Sequence, residues 1–275
     1  MRLADYGMAM EFVAARDLDD ALAAKAQQPD AELLAGGTDL MVEVNLAHHR
    51  PSQVISLRRV AELREVTRSR IGSGARWSRL EQGPHRGLAQ AARTVGSPQI
   101  RAAGTIGGNV GTASPAGDGL PWIAAADASI EIRSAERGTR VVPWREFFTG
   151  VKRTSIQPDE IITAVVVPDD LPEHQEFAKV GVRNAMVIST VSCLVMRGHD
   201  GFRVALGSVA PTPIRATRAE QMINAESTIS ETVLDEFARI VSQEVKPITD
   251  HRSTEGYRRH AAGVLARRLV ERSAR

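Results

Sequence analysis

The chain has 275 residues, 43% hydrophobic and 25% charged, with 35 Lys plus Arg against 33 Asp plus Glu. That is the make-up of a folded globular protein, long enough for one large domain or two modest ones. A formal charge of only +2 argues against nucleic acid or an anionic membrane as partner, and a lone cysteine, Cys193, excludes an internal disulfide, a cysteine-ligated cluster or a zinc-thiolate site.

Met1–Glu11 carries Arg2, Asp5 and Glu11 without a sustained apolar run, so it does not read as a signal peptide. Asp17 is placed to cap a helix bearing Leu18, Ala21, Leu22 and Ala26, with Asp19 and Asp20 favourable to its dipole. Glu32–Ala35 reads as a short strand. Gly36-Gly37 turns the chain, and Thr38 is suited to cap a helix with Leu40, Met41 and Val44. Gln53–Leu57 is the next strand, so the pattern is strand–helix–strand with a parallel pair. Free N–H groups where strand gives way to helix favour a phosphate, although a tight turn with a capping threonine would look the same.

Glu65–Thr67 and Arg70–Gly74 read as short strands joined at Arg68-Ser69. Gly72-Ser73-Gly74 begins like a dinucleotide fingerprint but lacks the third glycine and is assigned to a strand-end turn. Trp77–Leu80 and Gly87–Val95 read as helices. Pro98–Ala103 then leads into Thr105-Ile106-Gly107-Gly108-Asn109, which continues to Ser114-Pro115-Ala116-Gly117-Asp118. Glycines let main chain turn tightly and admit close approach. Consecutive N–H groups there can converge on an anion, and Asn109 and Asp118 add hydrogen-bonding side chains. An ordinary glycine-rich surface loop is the competing reading.

Leu120–Ala126 is an apolar helical turn carrying Trp122. Ser129–Arg133 and Thr139–Val142 form a hairpin about Ala135–Gly138, Trp144 to Phe148 is compact and aromatic, and Ile161–Val167 is a β-branched strand. Pro168–Pro172 reads as a linker. Beyond it Glu176–Gly181, Val187–Met196 and Phe202–Ser208 predict an antiparallel meander, with Cys193 as a buried structural thiol. Three helices follow. Ser230–Val245 shows Val233, Phe237, Ile240 and Val241 on one side. Thr254–Arg272 shows Tyr257, Ala261, Leu265 and Leu269, with Arg258, Arg259, Arg267, Arg268 and Arg272 on its solvated side. The most apolar run, Met186–Met196, is shorter than the ~20 residues of a spanning helix, and a cytoplasmic protein is expected. The seven histidines are scattered, and no nucleophile elbow or Walker loop is present. A bound cofactor would therefore carry any redox chemistry.

Two stretches together resemble a known family. Leu33-Leu34-Ala35-Gly36-Gly37-Thr38-Asp39-Leu40, followed by Thr105–Asn109, Ser114 and Asp118, is similar to the two flavin motifs of the FAD-binding medium subunits of molybdenum hydroxylases, the xanthine dehydrogenase and carbon monoxide dehydrogenase group. The likeness continues through Pro158–Ile162, Lys179-Val180-Gly181, Gly207–Pro213 and Arg252–Arg258, nearly the whole chain. It implies an α+β protein: a PCMH-type FAD-binding domain over residues 1–170, with subdomains of about 1–57 (a small parallel βαβ unit) and 58–170 (a larger mixed or antiparallel sheet with helices). A C-terminal domain over 171–275 would hold a three-stranded antiparallel sheet and a helical bundle. It implies FAD as cofactor, held by the two motifs, with Ile162 and Lys179 near the flavin and Asp118 on its polar chain or ribose. Lys179 would stabilise reduced flavin if buried; a strand lysine facing water is the alternative. Val95 stands where relatives carry a larger residue. The implied partners are a [2Fe–2S] small subunit and a molybdopterin-containing large subunit, with NAD⁺ or another acceptor receiving electrons through flavin N5. No catalytic residue or metal ligand is implied. A free-standing FAD oxidoreductase and a flavin-free structural subunit are the alternatives.

Overall fold

The computed structural model describes residues 10–274, so the reading of Met1–Glu11 rests mostly on residues outside that range. Strands β1 (Glu11–Ala14), β2 (Glu32–Leu34) and β3 (Gln53–Ser56) pair in parallel in the order β1-β3-β2. Helix α1 (Leu18–Gln27) joins the first two and α2 (Leu40–Asn45) the second and third. Asp17 caps α1 as expected, its Oδ1 accepting from Asp20 N at 2.8 Å, and Leu18, Ala21 and Leu22 are buried beside Ile55 and Leu63. β1 was not anticipated, because four residues with a mostly exposed pattern give no alternation to read. α2 departs from its reading: Asp39, not Thr38, precedes it, no side chain caps it, and none of its residues is buried. Its apolar spacing therefore marks no core face, and Met41 and Val42 are exposed.

The middle of the chain supplies β4 (Arg70–Gly72), five consecutive helices, a hairpin and a closing strand. The helices are α3 (Trp77–Leu80), α4 (Arg86–Thr94), α5 (Pro98–Ala103), α6 (Ile106–Thr112) and α7 (Leu120–Ala125). The hairpin is β5 (Ser129–Ser134) and β6 (Gly138–Pro143), followed by α8 (Trp144–Phe147), the small ribbon β7 (Phe148–Gly150) and β8 (Arg153–Thr154), and then β9 (Glu160–Val166). These make an antiparallel sheet in the order β4-β9-β5-β6. Trp122 is fully buried in the main core, and its indole N–H donates to Gln175 Oε1 at 3.1 Å. Gly72 belongs to a strand-end turn as read, where a Cβ would stand 2.3 Å from Leu63 O.

After the proline-rich linker, β10 (His174–Val180), β11 (Val191–Gly198) and β12 (Gly201–Gly207) form the expected meander. The sheet has a further member: β13 (Ile214–Arg215) pairs with Ala205 and Leu206, so it is four-stranded rather than three-stranded. Two residues are too few to show a period. Helices α9 (Thr217–Asn224), α10 (Glu231–Glu244) and α11 (Glu255–Ala274) follow. Ser230 caps α10 as predicted, at 3.3 Å from Val233 N, and Cys193 is fully buried, which pushes its thiol well above the ordinary range. α11 is rotated relative to its reading. Ala261, Ala262, Ala266, Leu269 and Val270 face the core, whereas Tyr257 is exposed. Arg258, expected in solvent, is buried and donates to Thr190 O at 2.7 Å, Ser208 O at 3.0 Å and Asp250 Oδ1 at 2.8 Å. A four-residue step drifts off a 3.6-residue helix, which is why the stripe starts one position later.

Candidate functional site

The chain reversal after β2 builds one wall of a cleft. Gly37 takes φ +75°, a left-handed conformation that glycine adopts without strain. Among the described residues, the main-chain N–H groups of residues 35–40 donate to nothing. A run of free N–H groups ahead of a helix is an anion-binding surface. Gly36 lies against the end of α5, just ahead of the second glycine-rich segment, where a Cβ would stand 2.2 Å from Ala103 O. Thr112 Oγ1 donates to Asp39 Oδ2 at 3.1 Å, tying together segments 73 residues apart.

The second segment is not the phosphate loop its composition suggested. Thr105–Asn109 opens α6, and its N–H groups are spent inside the protein: Ile106 N on Ala75 O (3.0 Å), Gly107 N on Ser73 O (2.8 Å) and Asn109 N on Thr105 O (3.1 Å). Gly108 N is taken by the capping Thr105 Oγ1 at 3.0 Å. Ile106 points into the core, fully buried, and does not line the cleft. What this segment offers a ligand is surface. A Cβ on Gly107 would collide with Ser73 at 2.5 Å, so Gly107 serves packing; a Cβ on Gly108 would meet only Thr105 Oγ1 at 3.3 Å, so Gly108 borders open space. Asn109 Oδ1 is buried and has no hydrogen-bond partner, an arrangement that costs free energy unless something fills it.

The cleft between these walls has a volume of about 960 Å³, the scale of a cofactor site. Leu33, Leu34, Ala35, Gly36, Gly37, Thr38, Asp39 and Leu40 line it, as do Thr105, Gly107, Gly108, Asn109, Ser114, Asp118 and Ile162. Val95 lines it too. Sequence reasoning missed Ser73, Gly74, Trp77, Lys152 and the Met186–Ile188 stretch, which also contribute. They carry no ligand-binding pattern; the one available hint was the glycine-rich turn at Ser73-Gly74, read as a strand end.

Lys179 lies behind the cleft rather than in its lining. Its side chain is only 9% exposed and does not face water, with Nζ 2.7 Å from Asp118 Oδ2, 2.9 Å from Thr94 O and 3.0 Å from Val187 O. Asp118 also accepts from Ser189 Oγ at 2.5 Å and from Thr94 Oγ1 at 3.4 Å. Burial pushes the Asp118 carboxyl up, while Lys179, Ser189 and Thr94 pull it back toward the ionised form. Both of its oxygens are thus committed to the protein rather than left free for a ribose.

Free turn amides, an unsatisfied carboxamide oxygen and apolar side chains at Leu33, Val95 and Ile162, all in one cleft of this size, define a protein that binds a dinucleotide-type cofactor. FAD fits these features: a diphosphate for the amides, polar edges for Asn109 and planar rings for the apolar positions. The family model described as the FAD binding domain in molybdopterin dehydrogenase matches residues 8–170, and the CO dehydrogenase flavoprotein C-terminal domain matches residues 177–273. The chain is 33% identical over 93% of its length, and 93% of the relative's, to the putative xanthine dehydrogenase FAD-binding subunit of Escherichia coli. It is 32% identical to the nicotinate dehydrogenase FAD-subunit of Eubacterium barkeri, covering 81% of this chain and 82% of that one. The solved carbon monoxide dehydrogenase of Hydrogenophaga pseudoflava superposes with a TM-score of 0.87 at 27% identity, over 96% of this chain and 97% of that one. The chain belongs to the FAD-binding subunit family of molybdenum hydroxylases; FAD is its cofactor, and it is an oxidoreductase component. A flavin-free scaffold is thereby set aside. Among the described residues no helix is long and apolar enough to cross a membrane.

Proposed function

We propose that this chain is the FAD-carrying electron-transfer subunit of a molybdenum hydroxylase complex. It stands between a [2Fe–2S] subunit, itself supplied by a molybdopterin-containing large subunit, and NAD⁺ or another acceptor. The observation that carries the reading is the set of unpaired N–H groups at residues 35–40 facing a cleft bordered by Gly108 and Asn109. FAD supplies the capacity to take up an electron pair and pass electrons on singly. The protein's own work is to hold and orient. The turn amides and Thr38 bind the diphosphate, Asn109 offers its carboxamide, and Val95 and Ile162 flank the rings. Leu33, Leu34, Asp39, Leu40, Thr105, Ser114 and Asp118 complete the walls, and Lys179 holds Asp118 in place. We also assign residues 1–170 to the FAD-binding domain and 171–275 to a second domain, a division supported by family matches that end at 170 and begin at 177. A cytoplasmic location accords with the whole reading.

The test is reconstitution. The purified chain is expected to carry FAD yet to turn over no small substrate alone. Flavin reduction by the hydroxylated substrate should appear only when the [2Fe–2S] and molybdopterin subunits are added. Steady turnover of a small substrate by the isolated, FAD-loaded chain would replace this reading with that of a free-standing oxidoreductase.

A further inference from the structure

The near-neutral total hides an uneven distribution of charge. Residues 58–101 hold ten arginines, no lysine or aspartate and three glutamates, a surplus of seven positive charges in a chain whose whole is +2. The rest of the chain is accordingly net acidic. Folding gathers part of this surplus on one face, because α3 packs against both α4 and α5. Arg79 on α3 and Arg93 on α4 are exposed. Among the described residues Arg79 has no partner, and Arg93 has only a 3.4 Å contact to the Glu81 carbonyl. The Glu81 carboxylate is already engaged by Arg101. Arg76, just ahead of α3, is likewise exposed and unpaired, and with Ile100 it forms part of the cleft lining. Ile100 is an exposed apolar side chain at the same edge.

Unpaired like charges on neighbouring elements add to one field, which extends toward whatever approaches. Arginine suits a protein contact: its guanidinium is planar, weakly hydrated and enriched at interfaces. We infer that the α3–α5 face is the docking surface for an acidic electron-transfer protein, which meets the cofactor cleft at its Arg76–Ile100 edge. The inference rests on the electron-transfer reading above. It adds where the donor sits and which charge it carries. An exposed apolar side chain, Ile100, beside these arginines favours a folded protein over a nucleic acid strand or a free dinucleotide.

The experiment uses the full FAD-loaded chain as wild type and as the Arg79→Glu/Arg93→Glu double variant. Neither residue lines the cleft, so flavin content and urea midpoint should not move. Association with the [2Fe–2S] subunit of the same complex is measured at about 50 mM and about 500 mM NaCl. Wild-type affinity should fall with salt, and charge reversal should weaken binding by roughly tenfold or more at low salt with the difference closing at high salt. An Arg79→Gln/Arg93→Gln variant should fall between them, which guards against misfolding of the reversal variant. Equal affinity of all three chains, with flavin intact, overturns the docking face and leaves the subunit assignment standing. No binding by the wild-type chain at either salt overturns both. Loss in the variants of binding to NADH or to an oligonucleotide, with the [2Fe–2S] contact unchanged, also overturns the proposal.

Discussion

Two glycines in the cleft should fail in opposite ways. A Cβ at Gly36 would stand 2.2 Å from Ala103 O and 2.7 Å from Gly104 Cα. Both are main-chain atoms, so no rotamer change relieves the overlap and the two walls must part. Overpacking of this kind costs about 1–3 kcal/mol and sometimes more. At Gly108 the added Cβ meets only Thr105 Oγ1, at 3.3 Å. Glycine and valine differ by only a few tenths of a kcal/mol in helix propensity, so Gly108→Val should leave stability within about 1 kcal/mol of wild type. Its methyl groups extend into the cleft, and FAD affinity should drop at least about tenfold, or 1.4 kcal/mol. The assay pairs flavin absorbance per chain with urea unfolding of the apoprotein. Gly36→Ala should lose both flavin and stability, Gly108→Val flavin alone. Wild-type flavin content in Gly108→Val, or an undisturbed Gly36→Ala, would refute the assignment of these walls.

Asp118→Ala leaves the Lys179 ammonium buried without its counter-ion, for which about 3–5 kcal/mol is typical; the Thr94 and Val187 carbonyls place the expected loss at the lower end. FAD retention should weaken without vanishing, and adding Lys179→Met should recover much of the lost stability in urea titrations; a single variant as stable as wild type contradicts the ion pair. At Asp250, burial pushes the carboxyl up, but the Arg258 guanidinium and the N–H groups of Arg252 and Ser253 outweigh it and hold it at about 2, against an ordinary 3.8. A carboxylate depressed in the folded state stabilises above its unfolded value and loses that contribution as pH falls. Asp250→Asn should therefore cost about 2 kcal/mol at pH 7, and the gap between variant and wild type should close as pH drops from about 4 toward 2. A gap independent of pH would show that the charge is not what matters there.

Where burial imposes a repeat the sequence was legible, as in β5, whose residues alternate between buried and half-buried, and in α10; the strand–helix–strand unit and the meander were legible instead from short apolar runs set between turn residues. β1 and β13 were not, being too short and too lightly buried to show alternation. Composition located the cleft but misjudged how its second wall works. Gly107 and Gly108 looked alike, yet one packs on Ser73 and the other borders the cavity, a difference set by residues 34 and more positions away in sequence. The N–H groups of Ile106 and Gly107 were spent on Ala75 and Ser73 for the same reason. Lys179 and Asp118 were each singled out, but their pairing across 61 residues is a product of tertiary structure that neither local neighbourhood encodes.

That pairing bears on whether the first 170 residues could hold FAD by themselves. A carboxylate at the edge of a cleft from which a ligand excludes water costs several kcal/mol unless a counter-charge accompanies it. For Asp118 that charge comes from β10 and the supporting hydroxyl from Ser189, both beyond the linker. The main core crosses the same boundary: Phe177, Leu194, Met196 and Ala205 pack in one cluster with Trp122 and Leu88. Gln175 Oε1 receives both Trp122 Nε1 and Gly87 N, and Arg86 pairs with Glu176 at 2.7 Å. A chain ending at residue 170 would open this core to water at about 25 cal/mol per Å² of apolar surface, leave Trp122 Nε1 and Gly87 N without partners, and leave Asp118 with the Thr94 hydroxyl alone. Such a fragment is expected to be aggregation-prone or partly unfolded and to retain no FAD, as read by flavin absorbance and circular dichroism. A stable, flavin-loaded fragment would mean that the C-terminal sheet merely abuts the cleft and that the Lys179–Asp118 bond is dispensable to it.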